Sequence, residues 1–434
     1  MGLEVYFKFI LSFALILIAA RIGGEIAERY LKQPPVLGEL VAGIIISPFA
    51  LGGLIFGGDP IILNFATVHG GFGLDEFHAM EIISQIAVVT LLFVAGVETD
   101  VRAFLRYGWT GAGVAVGGVI LPFALGYLII WALYSEIGMT GFLFMGAVLT
   151  ATSIGVTVRI LMDMRRLQTK EGITILVGAV IDDIIGIVIL SVVISTAQTG
   201  ELDIGHAFQI GAIGLVAWFA LLIVGVRFNK YISMIFLNPF KRSGTMPIVA
   251  IIIGFLIAYL VTLAELHPVV GAYVAGLMFA ATREREEILH GIRPIMLFLA
   301  PFFFCYLGMQ VDLSFFVSAP IIAIIAVILI VLATLGKIIG CYIPARLVGR
   351  FSHTSSLMVG VGMVPRGEVG LIIAGAGLLA LGEPFRDLFA AAVLVSIATT
   401  LITPVMLKPL FRRAPAAGPE PESSLREDQE SGII

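Results

Sequence analysis

Two adjacent carboxylates, Asp182 and Asp183, lie inside a long apolar stretch, GITILVGAVIDDIIGIVILSVVISTA. A second apolar stretch, IIAIIAVILIVLATLGKIIGCYI, carries a single cation, Lys337. A charge at bilayer depth is costly, so such side chains usually face a cavity and handle ions or protons. Two acids and one base on separate helices form a set that can exchange protons for a metal cation. We therefore expect these groups to surround a hydrated pocket at mid-membrane.

The composition points to lipid as the natural solvent of most of the chain. Of its 434 residues, 59% are hydrophobic and only 13% are charged, whereas soluble domains are nearer a quarter charged. No basic cluster lies outside short loops, which argues against nucleic-acid binding. The two cysteines, Cys305 and Cys341, lie in apolar segments, so a disulfide framework is not expected. No nucleophile–base set or metal-ligating cluster appears, so we predict a transporter without a cofactor rather than an enzyme.

The apolar segments define the fold class. A membrane-spanning helix needs about 20 apolar residues, and on that rule the chain has about thirteen candidates. We therefore predict an all-α membrane protein in the lipid bilayer. The candidate helices lie at 4–29, 34–50, 80–98, 109–134, 140–161, 171–197, 206–228, 246–264, 268–281, 293–310, 319–346, 354–381 and 387–409.

Charges in the connections set the orientation. Lys and Arg concentrate in alternate connections, such as the one containing Arg165, while the intervening ones are acidic or neutral, such as the one containing Glu201. The positive-inside rule then gives an external N-terminus and a cytoplasmic C-terminus. A bacterial-type inner membrane is expected. The loop at 49–80 would be external, and the acidic tail at 413–434 would be cytoplasmic and disordered.

Two sequence segments recur in the same order. PPVLGELVAGIII (34–46) recurs as HPVVGAYVAGLMF (267–279), and LFVAGVETDVRAF (92–104) recurs as CYLGMQVDLSFF (305–316). The first copy of the first segment starts inside the cell and the second starts outside. Two similar units of opposite topology are typical of inverted-repeat secondary transporters.

The repeat pairs the fifth predicted helix with the twelfth, and both are interrupted at mid-span. Thr150, Thr152 and Ser153 interrupt the fifth, and the Pro-Arg-Gly sequence at 365–367 interrupts the twelfth. Pro lacks an amide donor and breaks the helical ladder. Paired discontinuous helices leave free backbone groups at the midplane, where ions bind. We expect two crossing broken helices, with Ser and Thr oxygens available to the cation.

Distances along the helices place the charged groups in one layer. Asp183 lies about 20 Å from the cytoplasmic Lys170, and Lys337 lies about 14 Å from the cytoplasmic Arg346. Arg366 and Glu368 are expected slightly farther out.

Structural readings of the same residues stay open. The Asp182–Lys337 pair could be purely structural, and Arg366 with Glu368 could simply neutralise each other beside the break. Thr152 and Ser153 could serve ordinary helix packing. Glu39, on the repeated segment, is interpreted as structural.

Three motifs together resemble a known family. The TATS break ahead of Asp182-Asp183, Lys337 in its GK-(I/L)-(I/L)-G setting, and the run MVPRGEVGLIIAGAG resemble the monovalent cation:proton antiporters of the second cation/proton antiporter family, NapA-like. The resemblance covers roughly residues 5–410. It implies an NhaA-type fold, a homodimer, and exchange of Na⁺ (or Li⁺ or K⁺) for H⁺.

The resemblance also implies roles for individual residues. Asp183 corresponds to the principal cation and proton carboxylate, and Asp182 to the acid that pairs with Lys337, so these two acids would hold the transported cation. Glu368 corresponds to the acid of the second broken helix. Electroneutral relatives usually have Asn where this chain has Asp182, which favours electrogenic exchange of two protons. No regulatory nucleotide-binding domain is expected in this chain, which weakens a potassium role.

The family architecture implies an elevator mechanism, in which a transport core slides against a scaffold. The core carries the fifth and twelfth helices, the seventh helix links the two parts, and the scaffold makes the dimer. The implied division is scaffold 1–107, core 108–200, linker 201–232, scaffold 233–318, core 319–412 and tail 413–434.

Three alternatives remain open at this point. A K⁺/H⁺ antiporter would use the same site. A sodium-coupled symporter for an organic anion can share this fold, but it would need a larger polar cavity and no Lys337. A gated cation channel would conduct without a counter-gradient.

Overall fold

The computed structural model describes residues 2–47, 50, 76–199, 204–263, 266–310, 320–382 and 385–413. All regular secondary structure in these ranges is helical, which confirms the predicted all-helical class. The predicted external loop at 49–80 and the predicted tail at 413–434 lie almost wholly outside the described residues.

The helices follow the apolar segments closely. We number them α1 to α13 and divide two of them at an interruption. Their bounds are α1 Gly2–Arg29, α2 Pro35–Ile46, α3 Glu76–Glu98, α4 Gly108–Leu133, α5a Gly138–Thr150, α5b Ile154–Asp163, α6 Lys170–Thr199, α7 Ile204–Arg227, α8 Met246–Thr262, α9 Pro268–Ala280, α10 Arg285–Met309, α11 Pro320–Leu347, α12a His353–Gly362, α12b Glu368–Leu381 and α13 Arg386–Arg413. Short helical turns occupy Val101–Arg106 and Asn229–Ile232.

These helices make the chain a multi-pass membrane protein. Within the described residues, eight segments are long and apolar enough to cross a bilayer, and α5a with α5b counts as one of them. Helices α2, α8 and α9 are apolar and shorter, and Gly211–Arg227 is a further apolar segment within α7. Large apolar side chains such as Ile120 and Ile324 are more than half exposed on the surface, as expected of helices whose outer faces contact lipid.

The start of α10 was predicted wrongly. The helix begins at Arg285 rather than near residue 293, because its first turns are charged and so fail a rule based on apolar length. The apolar side chains Ile288 and Ile292 of these turns are buried. Arg285 donates to the carbonyl oxygens of Val97 and Glu98 at 2.9 and 2.8 Å. Its cation therefore satisfies carbonyl groups at the C-terminus of α3.

The sequence repeat reappears as a repeated helix contact. Gly43 of α2 packs against Gly308 of α10, and Gly276 of α9 packs against Gly96 of α3. A Cβ added to Gly43 would lie 3.0 Å from the Gly308 Cα, and one added to Gly276 would lie 2.7 Å from the Gly96 Cα. These four glycines occupy matching positions of the two repeats. Each repeat thus makes the same backbone contact with the other.

The helices pack as two groups. One group contains α1, α2, α3, α8, α9 and α10, and the other contains α4, α5a, α6, α11, α12a, α12b and α13. Helix α7 packs against α6 of the second group and α9 of the first. Helix α5b, which continues the second group, also packs against α2 and α3. We call this contact of α5b with the first group the seam.

Candidate functional site

The first interruption separates α5a, which ends at Thr150, from α5b, which begins at Ile154. Ser and Thr side chains can bond to nearby backbone groups and so compete with a continuous helical ladder. Ser153 does so here, because its Oγ accepts a hydrogen bond from the Val156 amide at 3.3 Å and caps α5b. The predicted break at residues 150–153 is confirmed.

The second interruption separates α12a from α12b over residues 363–367. It contains Pro365, which has no amide hydrogen to continue the ladder. The predicted break at Pro-Arg-Gly is therefore also confirmed. Glu368 is the first residue of α12b, and its side chain lies outside the described set.

The two interruptions are hydrogen-bonded to each other. The Ser153 amide donates to the Pro365 carbonyl at 2.9 Å. The Thr152 hydroxyl donates to the Met363 carbonyl at 3.2 Å, and the Thr157 hydroxyl donates to the Gly362 carbonyl at 3.2 Å. Helix ends leave carbonyl groups without intrahelical partners, and α5 supplies partners for those at the end of α12a. The two broken helices therefore meet at their breaks.

Lys337 joins this crossing to α6. Its ammonium donates to Asp182 Oδ1 at 2.9 Å, to the Thr150 carbonyl at 2.6 Å and to the Gly118 carbonyl at 2.9 Å. These three bonds use all the hydrogens of the ammonium. The side chain is fully buried, and it lies at the C-terminus of α5a, where the helix dipole favours a cation. The structure thus brings Asp182, Lys337 and Thr150 together as the sequence predicts.

Asp183 follows Asp182 on α6. Consecutive helical residues are about 100° apart, so the two carboxylates leave the helix in different directions. Asp182 exposes 2% of its surface and Asp183 4%. The two acids thus lie in a nearly closed interior, and the expected hydrated pocket stays a prediction.

A small open space lies one helical turn beyond these carboxylates. Gly186 is buried, yet a Cβ added there would meet no atom of the described residues within 4 Å. Residues three and four apart on a helix share a face, so this space adjoins Asp182 and Asp183.

Arg366 braces the end of α5a from the other broken helix. Its guanidinium donates to the carbonyls of Leu149 at 2.5 Å, Val364 at 3.0 Å and Ala333 at 3.2 Å. It is fully buried. Together with Lys337, it places two cations on consecutive carbonyl groups at the α5a C-terminus. The predicted alternative of mutual neutralisation with Glu368 falls on a side chain outside the described residues.

Sequence reasoning missed the backbone partners of the site. Gly118 belongs to GAGVAVGG, a run that is usually interpreted as a helix contact. Its carbonyl accepts from Lys337, and a Cβ there would lie 3.5 Å from the Lys337 Nζ. The adjacent glycines were the available signal. A backbone carbonyl partner leaves no trace in side-chain chemistry, so Ala333 could not have been found from the sequence.

The arrangement can bind a cation or protons, but not both at once. Alkali cations, like the hard divalent ions, prefer oxygen ligands. The hydroxyl of Thr152 lies beside the Asp182 carboxylate, and Asp183 is the next residue of α6. Two buried, ionised carboxylates beside one lysine leave a negative charge uncompensated, and binding a proton or a cation neutralises it.

Comparisons with known proteins agree with this chemistry. A family model described as sodium/hydrogen exchanger, transmembrane, matches residues 11–413. The chain is 35% identical to the high-affinity Na⁺/H⁺ antiporter NhaS3 of Synechocystis, over 93% of this chain and 90% of that protein. It is 34% identical to the Na⁺/H⁺-K⁺ antiporter GerN of Bacillus cereus, over 93% and 97% of the two chains.

The fold also matches a solved structure. The sodium proton antiporter MjNhaP1 of Methanocaldococcus jannaschii superposes with a TM-score of 0.63 at 18% identity, over 94% of this chain and 97% of that one. At this identity the match concerns the fold alone.

Proposed function

Because the chain belongs to the transmembrane sodium/hydrogen exchanger family and is a cation/proton antiporter, we propose that it exchanges Na⁺ for H⁺ at the crossing of its two broken helices. Li⁺ and K⁺ are weaker substrates of the same site. One observation carries the assignment. Lys337 is hydrogen-bonded to Asp182 at 2.9 Å, beside Asp183 and against the end of α5a.

Competition between the cation and the protons couples their movements. In the proton-loaded state Asp183 is neutral and Lys337 is paired with Asp182. An arriving Na⁺ is held by ionised Asp183 and Asp182 together with hydroxyl or carbonyl oxygens near Thr152 and Ser153. The first proton leaves from Asp183. Because Na⁺ draws Asp182 away from Lys337, a second proton leaves from the Lys337 ammonium, and the exchange of two protons for one Na⁺ is electrogenic.

The packing of the helices supports an NhaA-type fold with an elevator mechanism. The eight long spans, together with α2, α7, α8, α9 and the broken α12, would make thirteen crossings. The group with α1 to α3 and α8 to α10 would be the scaffold, and the group with α4 to α6 and α11 to α13 would be the moving core. Helix α7, in contact with both groups, suits a linker. The core would slide along the seam and carry the site between the two faces.

The remaining assignments follow from the proposed topology. The chain would lie in the inner membrane as a homodimer that associates through its scaffold. The N-terminus would be external and the C-terminus cytoplasmic. The names of relatives include both Na⁺/H⁺ and Na⁺/H⁺-K⁺ antiporters, so potassium transport is the nearest alternative.

Proton flux in proteoliposomes tests the proposal. Asp183→Asn removes the carboxylate for which Na⁺ and H⁺ compete. We therefore expect Na⁺-driven proton movement to fall at least about a hundredfold, which corresponds to about 2.7 kcal/mol. The matched control is Asp100→Asn, because Asp100 caps the exposed turn Val101–Arg106 far from the site.

Three results would contradict the proposal. Full exchange by Asp183→Asn would remove Asp183 from the site. Faster exchange with K⁺ than with Na⁺ or Li⁺ would reverse the selectivity. Uptake of a labelled organic anion with Na⁺, without proton movement, would favour the symporter.

A further inference from the structure

A second buried ion pair joins the two helix groups at the seam. Arg159 of α5b donates to Glu39 Oε1 of α2 at 3.1 Å. The side chain of Arg159 is 5% exposed and that of Glu39 is 1% exposed. The guanidinium also lies over the ring of Phe304 on α10, with 6.0 Å between Cζ and the ring centroid. Arg159 thus reaches from α5b into a site formed by two helices of the other group.

Asp163 holds the same guanidinium from the α5b side. Its carboxylate lies 3.1 Å from Arg159 Nε, one helical turn away. It also accepts a hydrogen bond from the backbone amide of Val36. The residue just before α2 is Pro34, which provides no side-chain cap, and the first turn of α2 has no acidic residue. Asp163 therefore caps α2 from across the seam, where the helix dipole favours an anion.

Arg159, Glu39 and Asp163 lie between a surface cavity and the candidate ion site. A cavity of about 450 Å³ lies between the α1–α2 connection and the ends of α5b and α13, and Asp163 lines it. Its basic rim of Lys32, Arg166, Lys408 and Arg412 marks the face that the proposed topology assigns to the cytoplasm. From Asp163 to Ser153 is about 15 Å along α5b, and residues 154–161 are all buried. Arg159 therefore lies along α5b between this cavity and the crossing, within a closely packed stretch of the helix.

We propose that Arg159, held by Glu39 and Asp163, is a cytoplasmic latch that must open in each transport cycle. The inference rests on the proposed sliding of the core against the scaffold. Glu39 and Val36 belong to one moving body, and Arg159 and Asp163 belong to the other. If the bodies slide, both links across the seam break and re-form. Arg159 and Asp163 stay paired throughout, so the guanidinium keeps one carboxylate partner when it leaves the scaffold.

Cysteine accessibility from one side of the membrane tests the latch. Val156 lies on the face of α5b that carries Arg159, one turn deeper toward the crossing, and it is fully buried. In a Val156→Cys background, a membrane-impermeant maleimide is applied to everted vesicles and, separately, to right-side-out vesicles. The same protein without the introduced cysteine measures background labelling of Cys305 and Cys341, which are buried.

We expect Glu39→Gln and Arg159→Gln each to raise labelling about tenfold in everted vesicles and not in right-side-out vesicles. Asp163→Asn, which removes the cap but spares the Arg159–Glu39 pair, should raise it about threefold. The control is Arg293→Gln. Arg293 is 60% exposed and pairs with Glu98 at the same distance of 3.1 Å. Both residues belong to the scaffold group, so labelling should stay at the parent level.

Two outcomes would overturn the latch. One is unchanged labelling in all three seam variants. The other is an equal rise from both sides, which would indicate a loosened fold. Asp183→Asn in the same background separates this proposal from the proposed function. If Asp183→Asn exchanges ions normally, the site assignment fails, while the labelling of the seam variants still tests the latch. If Asp183→Asn is inactive and the seam variants label like the parent, only the latch fails.

Discussion

Two buried cation–carboxylate pairs of this protein are almost equal in length and burial, yet one lies within a helix group and the other joins the two groups. Lys337 and Asp182, 2.9 Å apart, lie within one helix group. Arg159 and Glu39, 3.1 Å apart, lie on opposite sides of the seam. On the proposed elevator mechanism, a pair within one helix group would move with the bound ion, whereas a pair between groups would resist the movement. The proposed roles of the two pairs therefore differ because of the helices that carry them, not because of their geometry.

The chemical difference between the two cations fits this division. Lysine is a compact point charge whose protonation responds readily to burial and to its partners, whereas arginine keeps its charge and spans two acceptors with a planar fork. Lys337 contacts one carboxylate and two backbone carbonyls. Arg159 contacts two carboxylates. Lysine suits a site that must exchange partners, and arginine suits a contact that must hold until it is released.

Among changes to these two ion pairs, the largest effect is expected from Lys337→Ala. It leaves Asp182 and two buried carbonyl groups without the ammonium, and removing one partner of a buried pair costs about 3–5 kcal/mol when the other stays charged. We expect exchange to weaken at least about tenfold or to become electroneutral, with a lower melting temperature. Fluorescence-detected melting and the dependence of flux on membrane potential measure both effects.

The double variant Lys337→Ala with Asp182→Asn is the control for that change. It removes both charges, so it should recover part of the lost stability. A double variant as unstable as the single one would show that the pair contributes through packing rather than charge.

A smaller effect is expected from Arg159→Lys. Lysine keeps the positive charge but cannot bond two carboxylates side by side as a guanidinium does. We expect labelling of the Val156→Cys reporter in everted vesicles to rise about threefold, less than with Arg159→Gln, while proton-coupled exchange continues. Labelling equal to that of the glutamine variant would mean that charge alone contributes nothing to the contact.

The smallest effect is expected from Gly186→Ala. The added methyl group enters open space, and alanine favours a helix over glycine by about 1 kcal/mol, so stability should rise slightly. The space beside the carboxylates shrinks, so we expect exchange to slow by no more than about threefold, and more for K⁺ than for Na⁺. Flux measured with Li⁺, Na⁺ and K⁺ in turn checks this order.

Gly178→Ala is the control on the same helix. There a Cβ would lie 3.1 Å from Val114 Cγ1, away from the open space. It should lower stability without changing the order of the three cations. A changed order in this variant would locate selectivity in general helix packing.

The sequence predicted the crossing well because its chemistry is rare in lipid. Charged residues such as Asp182 and Lys337 are exceptional at mid-membrane, and Pro365 interrupts a helix wherever it occurs. Arg159 was missed for the opposite reason. It lies close to Arg165 and Arg166 in sequence, so it resembles the basic residues of an ordinary cytoplasmic helix end. Its burial depends on α2, which is remote in sequence, and no local pattern encodes that contact.

The closed interior around Asp183 could not be predicted either. Whether water reaches a transporter's site depends on the conformational state, and one sequence serves every state. Glu39 was interpreted as structural, and its ion pair with Arg159 across the seam was not foreseen, because it joins segments remote in sequence. The candidate binding residues could therefore be predicted from the sequence, whereas the residues that link the two helix groups required coordinates.

The paired glycines of the two repeats affect which helices of the molecule can deform. At Gly43 with Gly308 and at Gly96 with Gly276, main chain touches main chain, and no rotamer lies between them to adjust. Interlocked backbones of this kind behave as a stiff frame, since close-packed interiors transmit strain instead of absorbing it. On the proposed elevator mechanism, the helices of this frame would deform little, and the movement would concentrate at the seam.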